Sequence, residues 1–334
     1  MKIWLRLHGF ELCSWTFVWE NLKNAFEADG DIIHFTGDPP NPKEYIELWW
    51  GDPQFWEWSK YKVKGRVALA LSEAHSILKQ GRENVINNLN EADVIICPSQ
   101  FASTAFMEAP IDKPIRIAFF GVAPDEFKYI DRDWSGNIKF LHGGVSQFRK
   151  GSWLVPEAFL KCYNQVGNVE LTIATPKVTP MFAQMKLEYG SHPNIHFISN
   201  IQDSASKLYE NHHVYISPHL SEGFGLMIPE AMATGMPCLV SRCSSPREYF
   251  SSEYGWWIEM SELYASVEQC LPDTAGFWRI PDVNSLVENM IECAISKKEA
   301  EEKGKKASDY VLNNLTWLHT IKKIKSIIKE FINE

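Results

Sequence analysis

The 334-residue sequence has no Cys-x-x-Cys pair, no low-complexity tract, and no internal repeat at the roughly 20 to 50 residues that mark solenoids and propellers. No apolar run approaches the roughly 20 residues of a membrane-spanning helix. The seven cysteines (Cys13, Cys97, Cys162, Cys238, Cys243, Cys270 and Cys293) are odd in number and scattered. That argues against a disulfide framework and a thiolate zinc site and fits reduced thiols in a cytoplasmic compartment. The opening residues are interrupted by Arg6, His8 and Glu11, too soon for the apolar stretch of a secretory signal. Positive charge is also short: 33 Lys and Arg against 42 Asp and Glu leave a net charge of -9. Residues 1–133 carry 14 basic and 20 acidic side chains, so neither half is basic, and a nucleic-acid backbone is disfavoured as the main partner.

What is present is ordinary globular composition, 45% hydrophobic and 22% charged. At roughly 150 residues per domain, the length suggests two domains. Short apolar runs alternate with amphipathic stretches, the pattern of strands and helices taking turns in a parallel sheet. Ile3 to Leu7, Ile32 to Phe35, Val67 to Leu71, Val94 to Cys97 and Ile115 to Phe119 read as strands of a first sheet, with helices over 14–28, 81–91 and 100–107. The polar stretch from Gly121 to Asn137 reads as a linker. A second series follows: strands Ile138 to His142, Val169 to Ala174, Ile195 to Ile198, Val214 to Ser217 and Cys238 to Val240, with a helix near 152–164. The expected domains are therefore 1–133 and 134–312, each doubly wound, with a last helix over 313–334. That helix places Ile321, Ile324, Ile328 and Phe331 on one face and lysines on the other. Packing on the protein is favoured over contact with an anionic membrane. Seven of the 13 tryptophans (Trp4, Trp15, Trp19, Trp49, Trp50, Trp56 and Trp58) fall in the first 60 residues.

The string from His219 to Pro237 follows a strand end directly, which is where ligands of such sheets bind. Gly223 and Gly225 allow a tight loop, and Pro229 is tolerated only in the first turn of a helix, so a helix should start near Leu226 with its backbone N–H groups facing an anion or a sugar. A lone Gly-Phe-Gly would be no more than a strand-to-helix turn. Here, however, Glu222 and Glu230 are separated by seven residues. Gly-Phe-Gly follows the first directly, and Ala-Met-Ala-Thr-Gly-Met-Pro follows the second. This string resembles the Glu-x7-Glu signature of the retaining nucleotide-sugar glycosyltransferases of family 4. Phe140 to Gly151 followed by Glu157, Ala92 to Phe101, Phe119 to Phe127, and Gly276 to Asp282 resemble further elements of that family. The likeness covers roughly residues 65–310.

The resemblance implies an α/β GT-B architecture, two Rossmann-like doubly wound domains facing a central cleft, with the donor mostly on the second domain and the last helix, 313–334, packed back on the first. It implies that Glu230 accepts hydrogen bonds from the donor's ribose hydroxyls, a task suited to a carboxylate with two acceptor oxygens. Glu222 would lie near the transferred sugar, and the backbone of Phe224, Gly225 and Leu226 would contact that sugar and its phosphate. Lys150 would neutralise the departing diphosphate, with Gly144 in the same loop. Many members carry an Arg five residues before this lysine. Here that position is Val145, and Arg149 is the candidate replacement. In the first domain, Gly9 follows the first strand and matches the family's glycine-containing loop at the cleft, which would contact the donor, and Glu73 and His75 share candidacy for polarising an acceptor hydroxyl. Some of the early tryptophans are expected to face the acceptor by stacking on sugar or apolar groups.

Asp29-Gly-Asp31 and Asp131-Arg-Asp133 imitate a metal-binding Asp-x-Asp but fall in a turn and in the linker, and His192, His196, His212 and His213 lack companions at ligand spacing. No metal or cofactor is expected beyond the nucleoside-diphosphate sugar substrate, and the acceptor would be a glycan or a small molecule. A catalytically inactive nucleotide-sugar or glycan binding protein on the same fold remains the alternative. An epimerase on a similar frame is disfavoured by the glutamate string.

Overall fold

The computed structural model describes residues 1–8, 14–74, 83–199, 206–269 and 276–332. It divides into two compact units: Met1–Ala123 with Leu315–Glu334, and Pro124–Leu271 with Phe277–Asn314.

The first unit contains strands β1 (Lys2–His8), β2 (Ile32–His34), β3 (Ile46–Gly51), β4 (Gly65–Leu69), β5 (Val94–Cys97) and β6 (Ile115–Ile117), with helices α1 (Ser14–Ala28), α2 (Glu83–Asn90) and α3 (Gln100–Met107). All pairings are parallel, in the order β2-β1-β3-β4-β5-β6. Strand β3 is the element that the apolar runs did not reveal. Every one of its residues is buried, including Glu47, so it has no polar face to alternate with. Glu47 is held by Arg6, by Arg66 and by the backbone and hydroxyl of Ser59.

The tryptophans explain the local sequence and narrow its reading. Trp49 and Trp56 stack at 6.1 Å and belong to the core with Ala68 and Ala70. Trp50 is buried against Phe120, and its indole N–H donates to the Trp15 carbonyl at 2.8 Å. Trp58 donates to the Asn88 carbonyl, and Trp19 packs on Phe35. Trp49, Trp50 and Trp56 are thus committed to packing, which leaves Trp15, Trp19 and Trp58 among the candidates for the acceptor.

The second unit contains β7 (Ile138–Gly143), β8 (Val169–Thr175), β9 (Ile195–Ser199), β10 (Val214–Ser217), β11 (Cys238–Ser241) and β12 (Gly255–Ile258). These form a parallel sheet in the order β12-β11-β10-β7-β8-β9, and an antiparallel pair, β13 (Met260–Ser266) with β14 (Phe277–Pro281), lies outside it. Its helices are α4 (Leu154–Val166), α5 (Pro180–Tyr189), α6 (Ser206–Glu210), α7 (Met227–Ala233), α8 (Val283–Ile295) and α9 (Lys297–Asn314). The first two strands β7 and β8 run outward one way and β10 and β11 the other, so the topological switch point lies between β7 and β10. Crevices at such points are where doubly wound sheets bind ligands.

The boundary between the units falls at Ala123–Pro124, about ten residues before the expected 133. The reason is packing. Phe127 is fully buried against Tyr209, and the half-buried Arg132 guanidinium donates to the carbonyls of Ile130, Tyr209, His212 and Thr234. The apparent linker is therefore part of the second unit. The last helix, α10 (Trp317–Phe331), packs on α1 in the first unit, burying Trp317, Ile321, Ile324 and Ile328 while Lys325 pairs with Asp29 and Asp31.

Candidate functional site

Two loops meet at the switch point of the second sheet. One leaves β7 and turns through a short 3₁₀ segment, Phe148–Lys150. Gly151 ends that segment with φ 64°, and a Cβ there would stand 1.8 Å from the Pro218 carbonyl oxygen. A glycine is required both by the left-handed backbone and by the closeness of the second loop. Behind it, His142 donates from Nδ1 to the Ile216 carbonyl at 3.0 Å and accepts at Nε2 from the Ser152 hydroxyl at 2.8 Å. Burial lowers this imidazole to about 4, so the ring is neutral and the pair locks β7 to β10. Gly144 also has positive φ, and its N–H is taken by the Ala174 carbonyl.

The second loop, Pro218 to Leu226, carries Glu222. The carboxylate is only 4% exposed. One oxygen pairs with the Lys150 ammonium, and the other lies 3.2 Å from the Arg149 guanidinium. Burial alone would raise this carboxyl. The Lys150 charge and then the Arg149 charge outweigh it and hold Glu222 down at about 2. Its backbone is also clamped: the Glu222 N–H donates to Ser244 Oγ at 2.9 Å, and Ser245 Oγ donates to the Glu222 carbonyl at 2.8 Å. Among the described residues, Ser244 alone of the non-glycines has positive φ, at 51° with ψ -153°. Such a conformation costs about 1–3 kcal/mol and is a mark of functional sites.

The loop then enters α7. Gly225 takes φ 83°, and Leu226 is the N-cap. The Phe224 ring is buried on Tyr249, whose hydroxyl donates to the Phe224 carbonyl at 2.7 Å. Among the described residues the N–H groups of Gly225 and Leu226 donate to nothing. With seven residues α7 is too short for its macrodipole to matter much, so the cations, not the helix, dominate the local potential. Glu230, one turn in, is 5% exposed, and the one described hydrogen bond to its carboxyl comes from the Tyr209 hydroxyl, 2.9 Å from Oε2. Burial raises it to about 7, with the tyrosine opposing.

Tyr209, Ser244 and Tyr249 were missed in the sequence. Each is a single polar residue far along the chain from the glutamate or the loop it serves, and no spacing marks it. Arg149, Lys150, Phe224, Gly225, Leu226, Gly144, Glu222 and Glu230 are brought to one end of the second sheet. Glu73 stands in the first unit on a turn after β4, held by the mutual hydrogen bonds of Ser72 and Ala74. His75 and Gly9 lie outside the described residues. The histidines set aside in the sequence are structural. His212 bridges the Leu208 carbonyl and the Thr172 hydroxyl, and His213 bridges the Lys139 N–H and the Asp133 carbonyl. Among the described residues no group of three or more His, Cys, Asp or Glu could hold a metal ion, and no helix is long and apolar enough to cross a membrane.

Residues 134–273 match the family model described as Glycosyl transferases group 1, a stretch that contains both loops. An uncharacterized glycosyltransferase of Methanocaldococcus jannaschii is 26% identical over 170 residues, 46% of this chain and 43% of that protein. Protein CapJ of Staphylococcus aureus is 27% identical over 125 residues, 36% of this chain and 32% of that protein. The matched stretch thus spans less than half of either relative. Among solved structures, HepE of Anabaena in complex with UDP and glucose superposes with a TM-score of 0.70 at 14% identity, covering 99% of this chain and all of that one. At that identity the likeness establishes the fold: α/β, with two Rossmann-like units of alternating strands and helices. Within the second unit, residues 134–273 are similar to the glycosyl transferases group 1 family.

Proposed function

We propose that the protein is a retaining, metal-independent glycosyltransferase that moves a sugar from a nucleoside-diphosphate sugar to an acceptor hydroxyl. The observation that carries this reading is the pairing of two buried glutamates in opposite electrostatic settings at the switch point of one sheet. Glu222 has a cation on each oxygen, whereas among the described residues the Glu230 carboxyl meets a neutral hydroxyl. A donor that is anionic at its diphosphate and rich in hydroxyls at both ends matches this arrangement.

In this reading Glu230 accepts hydrogen bonds from the ribose, and Glu222 accepts them from the transferred sugar. Lys150 neutralises the diphosphate, and the N–H groups of Gly225 and Leu226 supply further donors. The acceptor oxygen bonds to the anomeric carbon on the face from which the diphosphate departs, the bond from that carbon to the phosphate oxygen breaks, and the acceptor proton passes to the leaving phosphate. No enzymatic nucleophile is needed. Glu73 and His75 are assigned to the acceptor, a glycan or a small molecule with a free hydroxyl, and Gly9 to the donor. The setting is read as cytoplasmic.

The test is a thermal-shift screen of UDP-, GDP- and ADP-sugars, starting with UDP-glucose because a fold relative was solved with it, followed by release of labelled sugar. A ligand at 100 times its Kd stabilises by about 2.7 kcal/mol, which is readily detected. Binding with turnover, even slow donor hydrolysis, is expected. Binding without any turnover would make the protein a nucleotide-sugar binding protein, and no binding across the panel would reject the reading.

A further inference from the structure

We infer that Arg149 is a positioning residue for Glu222: a fixed counter-ion that keeps the carboxylate ionised and oriented when Lys150 turns from it to the donor's diphosphate. The inference rests on the donor-binding reading above. It also places Arg149 in a different role from that of a second phosphate ligand replacing the arginine absent at Val145.

The two cations on Glu222 are not equivalent. The Lys150 side chain is 26% exposed, and the Arg149 side chain 8%. Arg149 Nη1 donates to the Ser221 carbonyl at 2.6 Å, and the Arg149 carbonyl accepts the Leu220 N–H at 2.8 Å. Main chain and side chain together tie Arg149 to the loop that carries Glu222. A planar guanidinium fixed in this way has little freedom to leave, whereas a lysine ammonium on a four-carbon stem, a quarter exposed, can swing. An arriving diphosphate carries more charge than one carboxylate and competes for Lys150. If Lys150 were the only partner, its departure would strand a buried carboxylate, a costly state that is relieved by taking up a proton. Glu222 would then lose acceptor capacity at the moment the sugar needs it.

Among the described residues, no other group facing the carboxylate can take over. His219, on the same loop, is held near 4 by burial and is neutral. Tyr215 on β10, and Cys243 and Tyr249 beyond β11, are all pushed up by burial and carry no charge. The charge state of Glu222 is therefore set by Lys150 and Arg149.

The full chain tests this through carboxyl ¹³C titration of Glu222, assigned with Glu222→Gln, beside calorimetric binding of UDP and UDP-glucose. Without donor, Lys150→Met should leave Glu222 titrating no higher than an ordinary carboxylate, because Arg149 remains; a midpoint above pH 5 would overturn the inference. With UDP-glucose bound, Arg149→Met should raise the Glu222 midpoint by at least one pH unit, whereas wild type and Arg149→Lys should not move. UDP affinity at pH 8 should stay within threefold of wild type in both Arg149 variants. A tenfold loss of UDP affinity in folded Arg149→Lys or Arg149→Met, with the Glu222 titration unchanged, would make Arg149 a phosphate ligand and overturn the inference. Should Arg149→Met fail to fold, Arg149→Lys and Lys150→Met still decide the matter. Should no nucleotide bind the wild type, the functional reading fails, while the donor-free titration continues to report on the ion pair.

Discussion

Lowering the pH from 8 to 6 should weaken nucleotide-sugar binding about tenfold, through Glu230 alone. The carboxyl is 5% exposed, receives one hydrogen bond from Tyr209, and is raised by burial to about 7, with Glu126 adding to the rise and Lys150 opposing it. If the ribose is bound by the carboxylate form, the apparent Kd scales as one plus ten to the power of pKa minus pH. That factor is about 1.1 at pH 8 and about 11 at pH 6, a difference of about 1.4 kcal/mol. Isothermal calorimetry with UDP-glucose, or whichever donor in the panel binds, reads this directly, because the diphosphate diester does not titrate in the window. His142, His212 and His219 are held near 4 by burial and are silent there too. Repeating the titration at pH 6 in buffers of different ionisation enthalpy should reveal about 0.9 proton released per donor bound. Tyr209→Phe removes the hydrogen bond that opposes the rise and should move the midpoint upward. Glu230→Gln should bind weakly and without pH dependence. Equal Kd values at pH 6 and 8 in the wild type, or a pH dependence that survives Glu230→Gln, would refute the reasoning.

Other consequences follow from the same geometry. Lys150→Ala should lower kcat by about 10² to 10³ with the fold intact, as loss of a positioned donor to a developing anion does; steady-state kinetics beside circular dichroism checks it. In the ligand-free protein Glu230 is neutral when folded up to about pH 7, but an unfolded chain ionises it from about 4.5. Its contribution to stability is therefore present below about pH 4.5 and lost as pH rises through 7. Glu230→Gln should accordingly stabilise the fold by about 2–3 kcal/mol at pH 8 and by nothing at pH 4, as read from urea midpoints. Arg132→Met removes the described donor of the His212 carbonyl and one of two donors to each of the Tyr209 and Thr234 carbonyls, and should destabilise the second unit by about 1–3 kcal/mol, visible as a fall in Tm. Gly151→Ala sets a Cβ against the Pro218 carbonyl and should separate the two loops, lowering Tm and donor affinity together.

Much of this was legible in the sequence because the signals are local. The strand runs stand close to the observed strands, and Glu222, Glu230 and Lys150 sit in strings whose glycines and Pro229 dictate turns and a helix start. Strand β3 was not legible, because a strand buried on both faces shows no alternation, and two tryptophans resemble a binding surface as readily as a core. The segment 124–133 reads as a linker because its charges are taken as solvated, yet the half-buried Arg132 donates to carbonyls that only the fold brings together. Tyr209 and Ser244 had no local signal, since each meets its glutamate across more than 20 residues of chain. The division of labour between Arg149 and Lys150, adjacent in sequence and unlike in exposure, is likewise a property of packing.

The central claim is that the second unit holds a nucleoside-diphosphate sugar between Glu230 and Lys150. A crystal structure of the protein with the donor that gives the largest thermal shift tests it most directly. The account predicts ribose hydroxyls within hydrogen-bond distance of the Glu230 carboxylate, and the diphosphate on the Lys150 ammonium with Arg149 still on Glu222. A nucleotide bound elsewhere, with Glu230 still held only by Tyr209 and Lys150 still on Glu222, would contradict it.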